Sequence, residues 1–125
     1  MNRKAAFACF NLAIAVALGA LAAHYLKAEL DRDSLLSFQT GVRYHIYHGL
    51  ALLILSLQRK KRNINSPWRL MAFGMLLFSL SIYLLSTRGL LLPTGSAAWL
   101  GPITPMGGLF LISSWLWLGF IFLKK

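Results

Sequence analysis

Four stretches of the chain carry no charged side chain: residues 5–25, 44–58, 70–87 and 106–123. Nothing else in the sequence narrows the possible folds so far. The hydrocarbon core of a bilayer is about 30 Å thick, and a helix crosses it in roughly 17–25 apolar residues. The first, third and fourth stretches reach that length with 21, 18 and 18 residues, whereas the second has 15. Upstream of the second, Gly41 and Val42 are uncharged, and Leu35, Leu36, Phe38 and Val42 recur at helical spacing behind Asp33 and Ser34. Those two residues are natural N-caps, so one long helix with its first turns outside the hydrocarbon is expected. The predicted spans are 5–25, 34–58, 70–88 and 105–123, a single all-α domain over residues 1–125. The fold class that follows is a bundle of four transmembrane helices.

Hydrophobic residues fill 58% of the 125 positions and charged residues only 13%, against about 45–50% apolar in soluble domains. A soluble chain this short could not bury so much apolar surface. The net charge of +10 is not spread evenly. It gathers at Arg3-Lys4, at Arg59-Lys60-Lys61-Arg62 with Arg69, and at Lys124-Lys125, nine residues on one side of the predicted bundle. The other two connections carry three, Lys27, Arg32 and Arg88, while Arg43 falls inside the second span. The positive-inside rule therefore puts both termini in the cytoplasm. Basic clusters facing anionic headgroups account for the charge, and no nucleic-acid motif accompanies it. All three acids, Glu29, Asp31 and Asp33, lie in the first outer loop. The N-terminal run, with Ala20-Leu21-Ala22 at its end, looks like a secretory signal. It is long enough to span, so it is expected to stay. Cys9 is alone, which excludes an internal disulfide.

Small residues suggest how the helices meet. Ala15, Gly19 and Ala23 recur every fourth position in the first span, a spacing that lets membrane helices approach closely. Before the fourth span, Thr104 is placed as N-cap, Pro105 as first helical residue, and Gly107 and Gly108 as a contact face. The loop 89–103, with Pro93, Gly95, Gly101 and Pro102, reads as irregular and folded over the bundle.

Polar side chains inside a span are the natural place to look for function. On a helical wheel of about 100° per residue, with Arg43 at zero, Tyr47, Tyr44 and His48 fall within an arc of about 140°. That arc is taken as the bundle-facing side, with His45 outside it. Tyr83 lies at a similar estimated depth to Arg43, so Arg43 is expected to turn inward and meet it. Two readings follow: interhelical hydrogen bonds, or an outer-leaflet pocket for a lipid headgroup or quinone-like ring lined by His24, Arg43, Tyr44, Tyr47, His48 and Tyr83. A metal or haem is not expected. His24 and His48 differ in depth by about 14 Å, and His45 and His48 point apart with no acidic or thiol ligand nearby. No carboxylate lies in a span, Cys9 has no neighbouring base, and the serines sit in no nucleophile motif. The sequence supplies no reaction and no cofactor site, and a non-enzymatic role is expected.

Four blocks carry a resemblance. Gly19-Ala20-Leu21-Ala22-Ala23-His24-Tyr25-Leu26-Lys27 is similar to a Gly-Ala-x-Gly-Ala-His-x-Leu-Lys signature. Phe38-Gln39-Thr40-Gly41-Val42-Arg43-Tyr44-His45-Ile46-Tyr47-His48-Gly49-Leu50-Ala51-Leu52-Leu53, then Phe78-Ser79-Leu80-Ser81-Ile82-Tyr83-Leu84-Leu85, then Gly101-Pro102-Ile103-Thr104-Pro105-Met106-Gly107-Gly108 complete the series. Together they resemble the YgdD/YwdK family of small bacterial inner-membrane proteins, a domain-of-unknown-function family with a eukaryotic transmembrane relative. Ala22 and Leu80 stand where that pattern has glycine, and His45 where it often has glutamine. The resemblance implies a multi-pass inner-membrane protein and no particular activity. The expected role is a non-enzymatic accessory or lipid-interacting component, and the alternative is a small-molecule (lipid or quinone-like) binding or transport unit using the outer-leaflet pocket. Its partners would be membrane lipids, with another membrane protein or a second copy beside them.

Overall fold

The structure, a computed structural model, describes residues 1–58, 63–91 and 98–124. The basic cluster at 59–62, residues 92–97 with Pro93 and Gly95, and Lys125 lie outside the described residues. The described chain is helical, with α1 over Arg3–Ala23, α2 over Tyr25–Glu29, α3 over Arg32–Leu57, α4 over Asn65–Ser86, α5 over Arg88–Leu91 and α6 over Ile103–Leu123. Ala98–Leu100 form one 3₁₀ turn ahead of α6, and no strand occurs among the described residues. Among the described residues, three helical segments are long and apolar enough to cross a membrane: Arg3–Glu29, α4 and α6, with mean hydropathies of 2.2, 1.7 and 1.9. The helix α3, at 26 residues, is longer than α4 and α6 and falls short on hydropathy, not on length.

Local chemistry sets the helix ends. At His24 the backbone kinks (φ −110°, ψ −78°), yet its N–H still reaches the Ala20 carbonyl at 3.1 Å, so α2 continues the first helix for another turn. Asp31 then caps α3, its Oδ1 accepting from the Asp33 and Ser34 N–H groups at 3.0 Å and its Oδ2 from the Ser34 hydroxyl at 2.6 Å. The cap therefore stands ahead of the expected Asp33 and Ser34, because Asp31 has the extended backbone that a capping residue needs. These bonds, that from the Ser34 side chain foremost, hold the Asp31 carboxyl below the usual carboxylate range. The start of α6 also differs from expectation. Pro102 is its N-cap, and Thr104 lies inside the first turn, where its hydroxyl meets Ser81 Oγ at 2.7 Å instead of capping. Pro105 is tolerated there because the first four N–H groups of a helix lack an intrahelical partner. Gly101 is exposed beside the buried Leu100.

The long helices pack in chain order. The helix α3 lies between α1 and α4, and α6 lies on α4; α1 and α6 are not backbone neighbours among the described residues. On α1 the buried line runs through Ala8, Ala15 and Ala22, a seven-residue repeat with Asn11 between. Seven residues drift about 20° from two full turns, whereas two steps of four drift about 80°. That is why Ala22 is buried and Ala23, expected in the seam, is exposed. Gly19 is half-buried, and a Cβ there would touch Val42 Cγ1 at 3.4 Å.

The tightest approach joins α4 and α6. A Cβ at Gly107 would lie 2.5 Å from the Phe78 nitrogen and 2.8 Å from its Cα, so the two backbones touch there. Gly74 faces the same crossing, with Phe110 Cβ at 2.9 Å from its own notional Cβ. Gly108 has more room, at 3.7 Å from the Phe78 ring. Small residues thus let two membrane helices meet without side chains between them.

Candidate functional site

Two apolar clusters form the core. One, nearer the chain's two ends, joins Leu52, Met71, Met75 and Leu111 to Trp68, whose indole N–H donates to the Leu52 carbonyl at 2.9 Å. The other, at the opposite end, joins Ala22, Leu26, Phe38, Val42 and Tyr83. Between them lies a belt of polar side chains, which carries the site's hydrogen bonds.

His45 is at its centre, 2% exposed. Its Nδ1 lies 3.1 Å from the Tyr83 hydroxyl and its Nε2 3.3 Å from Asn11 Oδ1. Asn11 donates its amide Nδ2–H to the Phe7 carbonyl at 2.9 Å, which fixes the amide so that Oδ1 faces the imidazole. An acceptor on that side requires Nε2 to carry the proton. Nδ1 then accepts, and Tyr83 donates its O–H. The chain Tyr83–His45–Asn11 thus ties α4, α3 and α1 together with every partner complementary to a neutral imidazole.

His48 forms a second tie. Its Nδ1 lies 2.8 Å from the Tyr44 carbonyl, which only an N–H can satisfy. Nε2 is then a free acceptor and receives the Trp115 indole N–H at 3.1 Å, linking α3 to α6. The two histidines are held in opposite tautomers by their different partners. Ser79 completes the belt by donating to the Gly41 carbonyl at 3.2 Å, and within the first cluster Ser114 ties α6 to α4 by donating to the Pro67 carbonyl at 2.7 Å.

This arrangement inverts the wheel reading of the second span. The buried positions of α3 are Phe38, Gly41, Val42, His45, His48, Gly49, Leu52 and Leu55, an arc centred near His45 and opposite Arg43. Gly41, His45 and Gly49 at four-residue spacing mark that seam in the sequence. Arg43 is exposed and bonds Thr40 Oγ1 on its own helix at 2.9 Å, so it does not turn inward to Tyr83. Long basic side chains do this near an interface, keeping the stem on apolar surface and the head in polar surroundings. Tyr47 is 60% exposed, and Tyr44 is 40% exposed with its ring against Phe78 at 4.7 Å. His24 is exposed at the kink between α1 and α2. Of the six residues proposed for one pocket, only His48 and Tyr83 are buried. The structure does not gather the six on one face.

Asn11 and Trp115 belong to the belt and were not anticipated. Asn11 is the informative one: a lone amide in an uncharged span, four residues from Ala15, has no reason to sit there unless it bonds another helix. Trp115 was hidden among the apolar residues of the last span. On the outer face, Arg43 lines a cleft of about 270 Å³ with Gln39, over Gly19, Ala22 and Val42. Among the described residues, no three His, Cys, Asp or Glu side chains gather as a metal site would require.

Residues 18–108 match a family described as a protein of unknown function, DUF423. The chain is 36% identical over 110 residues to the UPF0382 membrane protein YwdK of Bacillus subtilis, covering 85% of this chain and 84% of that protein. It is 35% identical over 108 residues to the UPF0382 membrane protein SERP0230 of Staphylococcus epidermidis, covering 85% and 83%. No solved structure matches. Relatives named as bacterial membrane proteins agree with three helices apolar enough to cross a bilayer, as a multi-pass protein requires.

Proposed function

We propose that this chain, which belongs to the DUF423 family, spans the membrane four times with both termini in the cytoplasm and acts as a lipid-interacting accessory component, not as an enzyme. The fourth span is α3. At about 1.5 Å per residue its 26 residues reach about 39 Å, more than the hydrocarbon thickness. Its low hydropathy is compatible with that role because its polar seam is covered by α1 and α4, and only the opposite face meets lipid.

The observation that carries the lipid-interacting reading is the position of Arg43. The guanidinium is exposed, steadied by Thr40, at the mouth of a cleft floored by small and apolar residues. A cation beside Gln39 and Thr40 on the outward side of α3 suits a phospholipid phosphate, with an acyl chain lying along Gly19 and Ala22. The buried belt supports the accessory role, since its histidines and Tyr83 are already engaged in holding helices together.

Native mass spectrometry of the chain from membrane extracts tests this, and also reports a second copy or another membrane protein as partner. Phospholipid adducts are expected on the wild type, retained in Arg32→Gln and depleted in Arg43→Gln. Equal adducts in all three would overturn the reading. For topology, Asn63→Cys in a Cys9→Ser background is expected to label only from the cytoplasm and Gly101→Cys only from outside. The reverse pattern would sink the orientation.

A further inference from the structure

At the end of the bundle away from the chain's termini, a second feature lies on the α4 side of α3, whereas the cleft beside Arg43 lies on the α1 side. The seam between α3 and α4 opens there into two clefts of about 290 and 230 Å³. The upper is lined by Glu29, Ser34 and Asp31 at the α2–α3 junction, by Ser86 at the end of α4 and by Arg88 and Leu90 beyond it. The lower is lined by Ser37, Thr40, Ile82, Leu85 and again Ser86. Ser86 is therefore the point at which they meet.

Two facts mark the place as built for something from outside the chain. Ser86 is 7% exposed, and its Oγ is the only buried side-chain polar atom among the described residues with no hydrogen-bond partner. A buried hydroxyl left unsatisfied costs about 1–3 kcal/mol, and the other buried hydroxyls among the described residues avoid that cost. Secondly, Glu29 and Arg88 line the same cleft with opposite charge, yet neither makes an ion pair or a hydrogen bond among the described residues. Asp31, which lines the same cleft, is already occupied by capping α3. An unpaired anion, an unpaired cation and an orphan hydroxyl thus share one opening, below which the seam turns to Ile82 and Leu85.

We propose that these clefts bind a zwitterionic ammonium–phosphate headgroup. The ammonium would meet Glu29 and Ser86, the phosphate would meet Arg88, and the apolar remainder would follow the lower cleft between α3 and α4. A primary ammonium suits the site because its N–H groups can donate to both the carboxylate and the Ser86 hydroxyl, which a trimethylated one cannot. The chemistry is that of phosphatidylethanolamine or of free phosphoethanolamine. This deepens the lipid-interacting reading by naming a headgroup class and a second location, distinct from Arg43.

The test uses the full chain in nanodiscs that mix phosphatidylethanolamine, phosphatidylcholine and phosphatidylglycerol equally, with lipids retained on extraction read by native mass spectrometry. Phosphatidylethanolamine is expected to be enriched about tenfold over each of the others, the scale of one hydrogen bond to a charged group. Glu29→Gln and Arg88→Gln should each abolish the enrichment, while Asp33→Asn, in the first turn of α3 but outside the clefts, should keep it. Circular dichroism confirms that each variant is folded. A melting shift with soluble phosphoethanolamine, absent in Glu29→Gln, would support the site and identify a free ligand as its source. No headgroup preference together with no such shift would overturn it, as would a preference that survives both substitutions. A chain that holds lipid without preference would leave the general lipid-interacting reading standing, so the two failures are separable.

Discussion

Gly107→Ala is the sharpest test of how α4 and α6 are held. The added methyl would lie 2.5 Å from the Phe78 nitrogen and 2.8 Å from its Cα. Those are backbone atoms, so no rotamer change relieves the contact, and α6 must move out by roughly 1 Å to restore van der Waals separation. Gly74, whose notional Cβ meets Phe110 Cβ at 2.9 Å, shows that the opposite side of the crossing has no slack either. Overpacking of this kind costs about 1–3 kcal/mol. Against it, alanine is a better helix former than glycine by up to about 1 kcal/mol. The net expectation is a loss of about 1–2 kcal/mol, read as a lower melting temperature in detergent. Gly119→Ala is the internal control, because nothing lies within 4 Å of its notional Cβ and only the propensity gain remains. Gly108→Ala, 3.7 Å from the Phe78 ring, should behave like Gly119→Ala. The signature is the opposite sign at 107 and 119. If both alanines shifted the melting temperature equally, the two backbones would not be in contact and the crossing would be wrong.

Four further outcomes are expected. Asn11→Leu strands the His45 Nε2–H and should cost about 1–3 kcal/mol; a double-mutant cycle with His45→Leu should show coupling, and strict additivity would deny the contact. Trp115→Phe removes the donor to His48 and should destabilise by about 0.6–2 kcal/mol in detergent unfolding, whereas Trp117→Phe, similarly exposed but donating no side-chain hydrogen bond among the described residues, should change little. Gly19→Ala should be tolerated, since its Cβ makes ordinary contact with Val42 at 3.4 Å, but Gly19→Leu should lower the melting temperature by overpacking the α1–α3 seam. The Asp31 carboxyl is held below its usual range, so the α3 cap contributes above the ordinary carboxylate range and is lost only as pH falls through the lowered value. Protection of the Ser34 amide, measured against its intrinsic exchange rate at each pH, should be lost on acidification at a lower pH than an unbonded carboxyl would give, and should be absent at any pH in Asp31→Ala.

Long uncharged runs made the helices legible, because hydrocarbon imposes a length and excludes charge whatever the packing. The ends were less so: Asp31 outcompetes Asp33 and Ser34 as a cap through backbone geometry, and all three are good caps by composition. The inward face of α3 was misread for a physical reason. In a soluble protein polar means outward, in a membrane protein it is taken to mean inward, and near an interface both hold. Arg43 reaches polar surroundings outward while His45 is satisfied inward by Tyr83 and Asn11. Residue type alone does not separate these cases; the glycines at 41 and 49 flanking His45 do. Trp115 could not be found from sequence, because its role depends on one N–H meeting one ring nitrogen on another helix.

The sandwiching of α3 has a consequence for biogenesis on the four-span reading. A helix carrying Arg32, Asp33, Arg43 and two histidines is a poor candidate to leave the translocon alone, whereas α1, α4 and α6 can partition unaided. Its polar seam finds complementary groups on α1, already made, and on α4, made next. Insertion of α3 would then wait for α4, and the Tyr83–His45–Asn11 chain would close only when three spans are present. A ribosome stalled before Tyr83 emerges should hold α3 reversibly, and one stalled after it should not.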